Sequence, residues 1–183
     1  LYDTAGIEII QINDPAGNAE TLAHLMNFDS VHGRWRHEVD FAGDTMQING
    51  HTISVTQNKT IEASDWSSCD LVIEASGVMK TKAKLQAYFD QGVKQVVVTA
   101  PVKEDGVLNV VYGVNHNLFD VEKHNIVTAA SCTTNCLAPP IKVLQEKIGI
   151  VHGSMTTIHD ITNTQTILDA PHKDLRRARA CGM

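Results

Sequence analysis

Short apolar, β-branched runs alternate along this chain with stretches of helical spacing, and that alternation most narrows what the chain can fold into. "IEIIQIN" (7–13), "DLVIEAS" (70–76) and "KQVVVTAP" (94–101) each read as buried strands, and "NVVYGV" (109–114) and "NIVTAA" (125–130) as two more. "NAETLAHLMNF" (18–28) spaces Leu22, Leu25 and Met26 for one helical face, and "TKAKLQAYFDQG" (81–92) is a helix with Gly92 as its stop. "DSVHGRW" is a loop, "TTNCLAPPIKVLQEKIG" (133–149) a helix whose prolines fall early, and "HGSMTTIHDIT" (152–162) a strand. Strands alternating with helices build parallel βαβ units, so the expected fold is α/β with a doubly wound, mostly parallel sheet. "TMQINGHTISVTQ" (45–57) alternates on both sides of Asn49-Gly50, a strong hairpin signal, and reads as an insertion in that pattern. The pattern changes character after about residue 131, which sets the expected domains at 1–131 and 132–183.

Composition narrows the partners. The 183 residues suffice for one domain, or for a domain and part of another, and they are 43% hydrophobic and 20% charged, as in a globular protein. A net charge of −6 argues against a nucleic-acid or anionic-membrane partner, and the one basic cluster, Lys173 to Arg179, is local. No apolar run approaches the roughly 20 residues of a membrane span. "LYDTAGIEII" lacks the basic region and long apolar stretch of a signal peptide. Cys69, Cys132, Cys136 and Cys181 are irregularly spaced and read as reduced thiols of a cytoplasmic protein.

Several positions carry chemistry. Asp14 follows a strand in "NDP", where an acidic side chain holds the adenosine ribose of a dinucleotide and repels a 2′-phosphate, although Asn-Asp-Pro-Ala-Gly is also good turn chemistry. The glycine fingerprint that belongs about 20 residues before such an acid is absent, because only 13 residues precede Asp14 and Gly6 is their single glycine. "EASG" (74–77) and "VVVTAP" (96–101) end two strands with Ser76, Gly77 and Thr99, at the carboxyl ends where open α/β sheets bind ligands; ordinary strand exits would look the same.

"AASCTTNCLAP" (129–139) holds two thiols four residues apart. A disulfide within one helical turn is disfavoured, and zinc would need further ligands at matching spacing. Cys136 suits a packed helix face with Leu137 and Pro140. Cys132 instead follows a strand and opens a helix, where backbone N–H groups and the helix dipole stabilise a thiolate. His159, in "MTTIHDITNTQ", is its natural base because imidazole titrates near neutrality. The hydroxyls of Thr156, Thr157, Thr162 and Thr164 around it offer neutral donors to an anionic substrate.

Taken together these residues resemble a family. "ASCTTNC" is similar to the active-site signature of phosphorylating glyceraldehyde-3-phosphate dehydrogenases, and "INDP", "FDSVHGR", "EASG", "VVVTAP", "GVNH", "TTIHDITNTQ" and "DAPHKDLRRAR" follow in order along the whole chain. The resemblance implies an incomplete Rossmann-like NAD-binding domain over 1–131 and the start of an α+β catalytic domain over 132–183. It implies NAD as cofactor, with Asn13, Asp14, Pro15, Ser76, Gly77 and Thr99 along its cleft. It further implies Cys132 as nucleophile and His159 as base, Ser131 and Thr133 toward the attacking phosphate, and Thr162 and Thr164 toward the phosphate of glyceraldehyde 3-phosphate. Asn135 and Cys136 then support the nucleophile loop, and the parent is a cytoplasmic homotetramer of glycolysis. Metal, nucleic acid and membrane have no part in it.

Two stretches depart from the common pattern. Lys59, in "QNKT", stands where the family commonly carries an arginine near the adenine, and "DAPHKDLRRARACGM" resembles a branch associated with arsenic resistance, in which arsenate replaces inorganic phosphate. Enzymes of erythrose 4-phosphate share the cysteine signature, and a non-catalytic, redox-sensing thiol protein is the reading from another class. Set beside the family, the chain is expected to be a fragment. The first strand with its glycine-rich turn should precede Leu1, and an arginine for the substrate phosphates and an asparagine for the nicotinamide should follow Met183. On that expectation this chain binds NAD weakly or not at all and does not turn over.

Overall fold

A computed structural model describes residues 1–162 and 164–182 and divides them into two compact units, one through Pro140 and the other from Ile141 on. In the first unit, strand β1 (Gln11–Asn13) leads to helix α1 (Ala19–Asn27). Asn18 caps α1, its side-chain oxygen accepting the Thr21 N–H at 2.9 Å. Ala19 and Ala23 are buried, with Leu22 and Met26 packed beside them, whereas Leu25 is exposed. Residues 19, 22, 23 and 26 follow the three-and-four spacing of one helical stripe, and Leu25 lies off it.

Strands β2 (Val39–Ala42), β3 (Thr45–Ile48) and β4 (His51–Thr56) form an antiparallel meander, and β1 pairs with β4 in parallel to give the sheet order β1-β4-β3-β2. The β3–β4 hairpin turns at Asn49 and Gly50, both at positive φ (49° and 82°), as a two-residue hairpin loop requires. Val39, Met46, Ile48, Ile53 and Val55 cover α1.

The second sheet is parallel throughout, in the order β5-β6-β8-β7, from β5 (Leu71–Glu74), β6 (Gln95–Val98), β7 (Leu108–Asn109) and β8 (Ile126–Thr128). Helix α2 (Lys82–Phe89), capped by Thr81, crosses between β5 and β6. Val72, Leu85, Val96, Val98, Val102 and Ile126 form its core with Trp66 and Tyr88. This is a Rossmann-like α/β arrangement, as expected, but divided into two sheets: β1 and β5 stand at sheet ends, each paired on one side only. Ile10 packs on the core of the second sheet while Ile9 and Ile12 pack on that of the first.

Several strands are shorter or less buried than the apolar runs suggest. "IEIIQIN" forms a ladder only at its last three residues, which are half-buried, and "NVVYGV" only at Asn109. In β5, Val72 and Glu74 are buried while Leu71 and Ile73 are 47% and 44% exposed. A strand side is buried only where another element covers it.

Helix α3 (Cys132–Lys147) carries Pro139 and Pro140 at its middle, the eighth and ninth of its 16 residues, rather than early. Lacking N–H groups, they leave the carbonyls of Asn135 and Cys136 without their intrahelical donors. Residues 152–162 form no strand, contrary to the reading of "HGSMTTIHDIT"; no strand among the described residues pairs with them, and an extended segment without a ladder is not held. No helix among the described residues is long and apolar enough to cross a membrane.

Candidate active site

Three groups of expected site residues lie at the ends of strands. Asp14 follows β1, its N–H donating to the Thr56 carbonyl at 3.0 Å. Its Oδ1 accepts the Ala16 N–H at 2.9 Å, so one oxygen serves the turn, and the described residues leave the other open to a ligand. Asn13 is engaged internally: its Oδ1 accepts from Thr56 Oγ1 (2.8 Å) and the Asn58 N–H (2.9 Å), and its Nδ2 donates to the Asn58 carbonyl (3.0 Å). Pro15 and Lys59 are exposed.

Ser76, Gly77 and Thr99 come together beyond the neighbouring strands β5 and β6, where the Thr99 N–H donates to the Glu74 carbonyl at 2.9 Å; all three are exposed. Gly77 has φ +73°, and a Cβ there would meet nothing within 4 Å, so the backbone is open to a ligand. A residue the sequence reading passed over organises this end. Glu74 is 5% exposed; its Oε1 accepts the Ser76 N–H at 2.7 Å and its Oε2 accepts the Tyr88 hydroxyl at 2.8 Å. Burial first, and then the Glu74 carboxylate, push the Tyr88 phenol well above its ordinary range.

The loop that bears Ser131 joins β8 to α3. Ser131 caps the helix, its Oγ accepting the Thr134 N–H at 3.1 Å and lying 2.8 Å from Thr134 Oγ1. Cys132 is then the first helical residue and is exposed, with Thr133 half-buried behind it. Cys136 is also exposed, and Leu137 is 38% exposed: α3 buries no residue, so the packed face expected there is not formed. Ala130, just before the cap, has φ +56°, left-handed backbone that costs a non-glycine residue about 1 kcal/mol or more. The Asn135 side-chain amide bridges this bend, donating to the carbonyls of Ala129 (2.7 Å) and Ser131 (2.9 Å).

His159 belongs to the second unit, and Cys132 to the first. It is exposed on irregular chain, with Nδ1 2.7 Å from the Asp160 carbonyl, a contact that places the proton of the neutral ring on Nδ1 and the basic lone pair on Nε2. The Thr162 and Thr164 hydroxyls lie 3.1 Å apart, and Arg177 Nη1 donates to Thr164 Oγ1 at 3.1 Å. Arg177 was hidden in the sequence among the basic cluster. It lines a cavity of about 480 Å³ with Arg176, Arg179, Gln165, Asp174 and Cys181. The Arg176 guanidinium holds the Asp174 carboxyl down to about 2. No cluster of His, Cys, Asp and Glu among the described residues could hold a metal ion.

Residues 1–82 match the family model described as the glyceraldehyde 3-phosphate dehydrogenase NAD binding domain, and residues 131–183 match the C-terminal domain of the same family. Glyceraldehyde-3-phosphate dehydrogenase 3 of Nostoc sp. is 52% identical over the whole chain and 54% of its own length. The chain belongs to the glyceraldehyde-3-phosphate dehydrogenase family. Glyceraldehyde-3-phosphate dehydrogenase 2 of Bacillus subtilis is 46% identical over 96% of the chain and 52% of its own length. The Geobacillus stearothermophilus glyceraldehyde-3-phosphate dehydrogenase is 45% identical over 95% and 52%. The chain therefore spans about half the length of the curated dehydrogenases it matches. The match from residue 131 onward opens at Ser131, the cap of the helix that bears Cys132.

Proposed function

We propose that this chain carries the cofactor-cleft and nucleophile portions of a cytoplasmic, homotetrameric, NAD-dependent phosphorylating glyceraldehyde-3-phosphate dehydrogenase. The observation that carries the reading is an exposed Cys132 at the first position of α3, inside a run that matches the family's C-terminal domain. The open carboxylate oxygen of Asp14 would take a ribose hydroxyl, and Ser76, Gly77 and Thr99 offer two hydroxyls and bare backbone at one sheet end, a donor set that fits a dinucleotide. Bound there, NAD supplies a hydride acceptor.

The remaining chemistry belongs to the chain's own residues. The Cys132 thiolate attacks the aldehyde carbon of glyceraldehyde 3-phosphate, the carbonyl π bond opens, and its oxygen takes a proton from water to give a thiohemiacetal. His159 takes the hydroxyl proton as the carbon gives up its hydride, which leaves a thioester on Cys132. Ser131 and Thr133 hold inorganic phosphate, whose oxygen attacks the thioester; the C–S bond breaks and an acyl phosphate leaves. Thr162 and Thr164, with Arg177 beside them, hold the substrate's own phosphate.

The test uses the 183-residue chain. Iodoacetamide alkylation of each cysteine, followed by peptide mass spectrometry, should single out Cys132, and glyceraldehyde 3-phosphate should slow it. Equal rates at Cys132 and Cys136, with no effect of the aldehyde, would overturn the reading. Stronger protection by erythrose 4-phosphate would move the substrate to that sugar. Selective peroxide oxidation of Cys132 without aldehyde protection would favour the redox-sensing reading. Isothermal titration should find weak or no NAD binding; clean micromolar affinity would refute the expected need for a glycine-rich turn. Phosphate and arsenate, compared as acceptors for an acyl-Cys132 ester made with an acyl donor, distinguish the two branches.

A further inference from the structure

We infer that Thr128 is a positioning residue for Cys132, acting with Asn109 through the backbone of Ala130. This rests on the reading of Cys132 as nucleophile. The chain must turn from β8 into α3 within three residues, and it does so through a left-handed alanine at 130, 7% exposed. The other non-glycine residue at positive φ among those described, Asn49, sits in a hairpin that asks for such backbone; no hairpin does so at Ala130. Held strain beside a reactive group calls for something that holds it.

Thr128 is that group. It is 1% exposed on β8, an inner strand of the parallel sheet. Its hydroxyl accepts the Ala130 N–H at 3.1 Å and donates to Asn109 Oδ1 at 2.6 Å. Asn109 is fixed in turn, its Nδ2 donating to the Val102 carbonyl (3.2 Å) and its own carbonyl accepting from Asn115 Nδ2 (2.9 Å). The Ala129 N–H is bound to the Val98 carbonyl at 3.0 Å. The bend is thus pinned from the sheet side by Thr128 and from the helix side by Asn135. Its left-handed residue sets the direction in which α3 leaves the sheet, and so where the first-turn N–H groups stand around Cys132.

The experiment reads the pH profile of Cys132 alkylation in the whole chain for Thr128→Val, Thr128→Ser and Asn109→Ala, with Cys136 as internal control. Thr128→Val should slow Cys132 at pH 7 by about two- to five-fold, the size of a helix terminus's influence on a charge in its first turn, and move its midpoint upward. Thr128→Ser should restore both, and Cys136 should not change. Asn109→Ala, which leaves the threonine hydroxyl in place without its acceptor, should shift Cys132 in the same direction and decides the matter if Thr128→Val does not fold. A Cys132 profile unchanged in the folded variants overturns the inference. A wild-type Cys132 no more reactive than Cys136 overturns instead the reading on which it rests.

Discussion

Replacing Tyr88 by phenylalanine removes one oxygen atom and tests how the carboxyl end of β5 is held. The ring would keep its edge contact with Trp66, centroid to centroid at 5.2 Å, and its place in the core. What is lost is the 2.8 Å hydrogen bond to Glu74, a carboxylate only 5% exposed that would keep the Ser76 N–H. A hydrogen bond to a charged group contributes about 1.5–3 kcal/mol, so Tyr88→Phe should lower stability at pH 7 by about 2 kcal/mol. For a chain of this size that is a fall in Tm of roughly 4–8 °C.

The same residue predicts an alkaline effect with a definite sign. Burial and Glu74 raise the phenol of the folded chain above its ordinary 10.0. The folded state therefore keeps a proton that the unfolded chain releases. This contribution is complete below pH 10 and is lost as the pH rises beyond it, by about 1.4 kcal/mol per pH unit until the folded phenol itself titrates. Phenylalanine has no such slope, so the gap between wild type and variant should narrow by about 1 kcal/mol between pH 10, where the unfolded phenol is half ionised, and pH 11. Urea denaturation followed by far-UV circular dichroism at pH 7, 10 and 11 measures it. Equal stabilities at pH 7, or a gap that stays constant to pH 11, would refute the reasoning.

Two further substitutions test local features. Asn18→Ala removes the cap of α1 and should cost about 1 kcal/mol, with amide exchange at Thr21 accelerated; unchanged exchange there would deny the cap its role. Arg176→Gln should let Asp174 titrate closer to 3.8 instead of about 2, as followed by carboxyl NMR. The sign is that of a depressed carboxylate: its ionised form persists until the pH falls to its folded value, and losing the guanidinium brings protonation on earlier. A midpoint that stays near 2 in the variant would show another cause.

The features legible in the sequence are those in which a residue acts on its near neighbours. Asn49-Gly50 turns its own hairpin, and Cys132 gains its setting from the helix it begins. The tertiary structure decided whatever needs a partner from elsewhere in the chain. Only part of "IEIIQIN" finds a ladder, "HGSMTTIHDIT" finds none, and β5 buries one side because one side is covered. β2 exists through its pairing with β3, and Glu74, at the end of β5, gains its role only because Tyr88, 14 positions on, supplies a hydroxyl. Thr128 and Asn109, 19 positions apart, meet because β7 and β8 are adjacent in the sheet. Chain-local hydrogen bonds are written in residue types and spacing. A ladder or a buried polar pair exists only once distant segments meet, and the physical reason is that neither segment carries both halves of the bond.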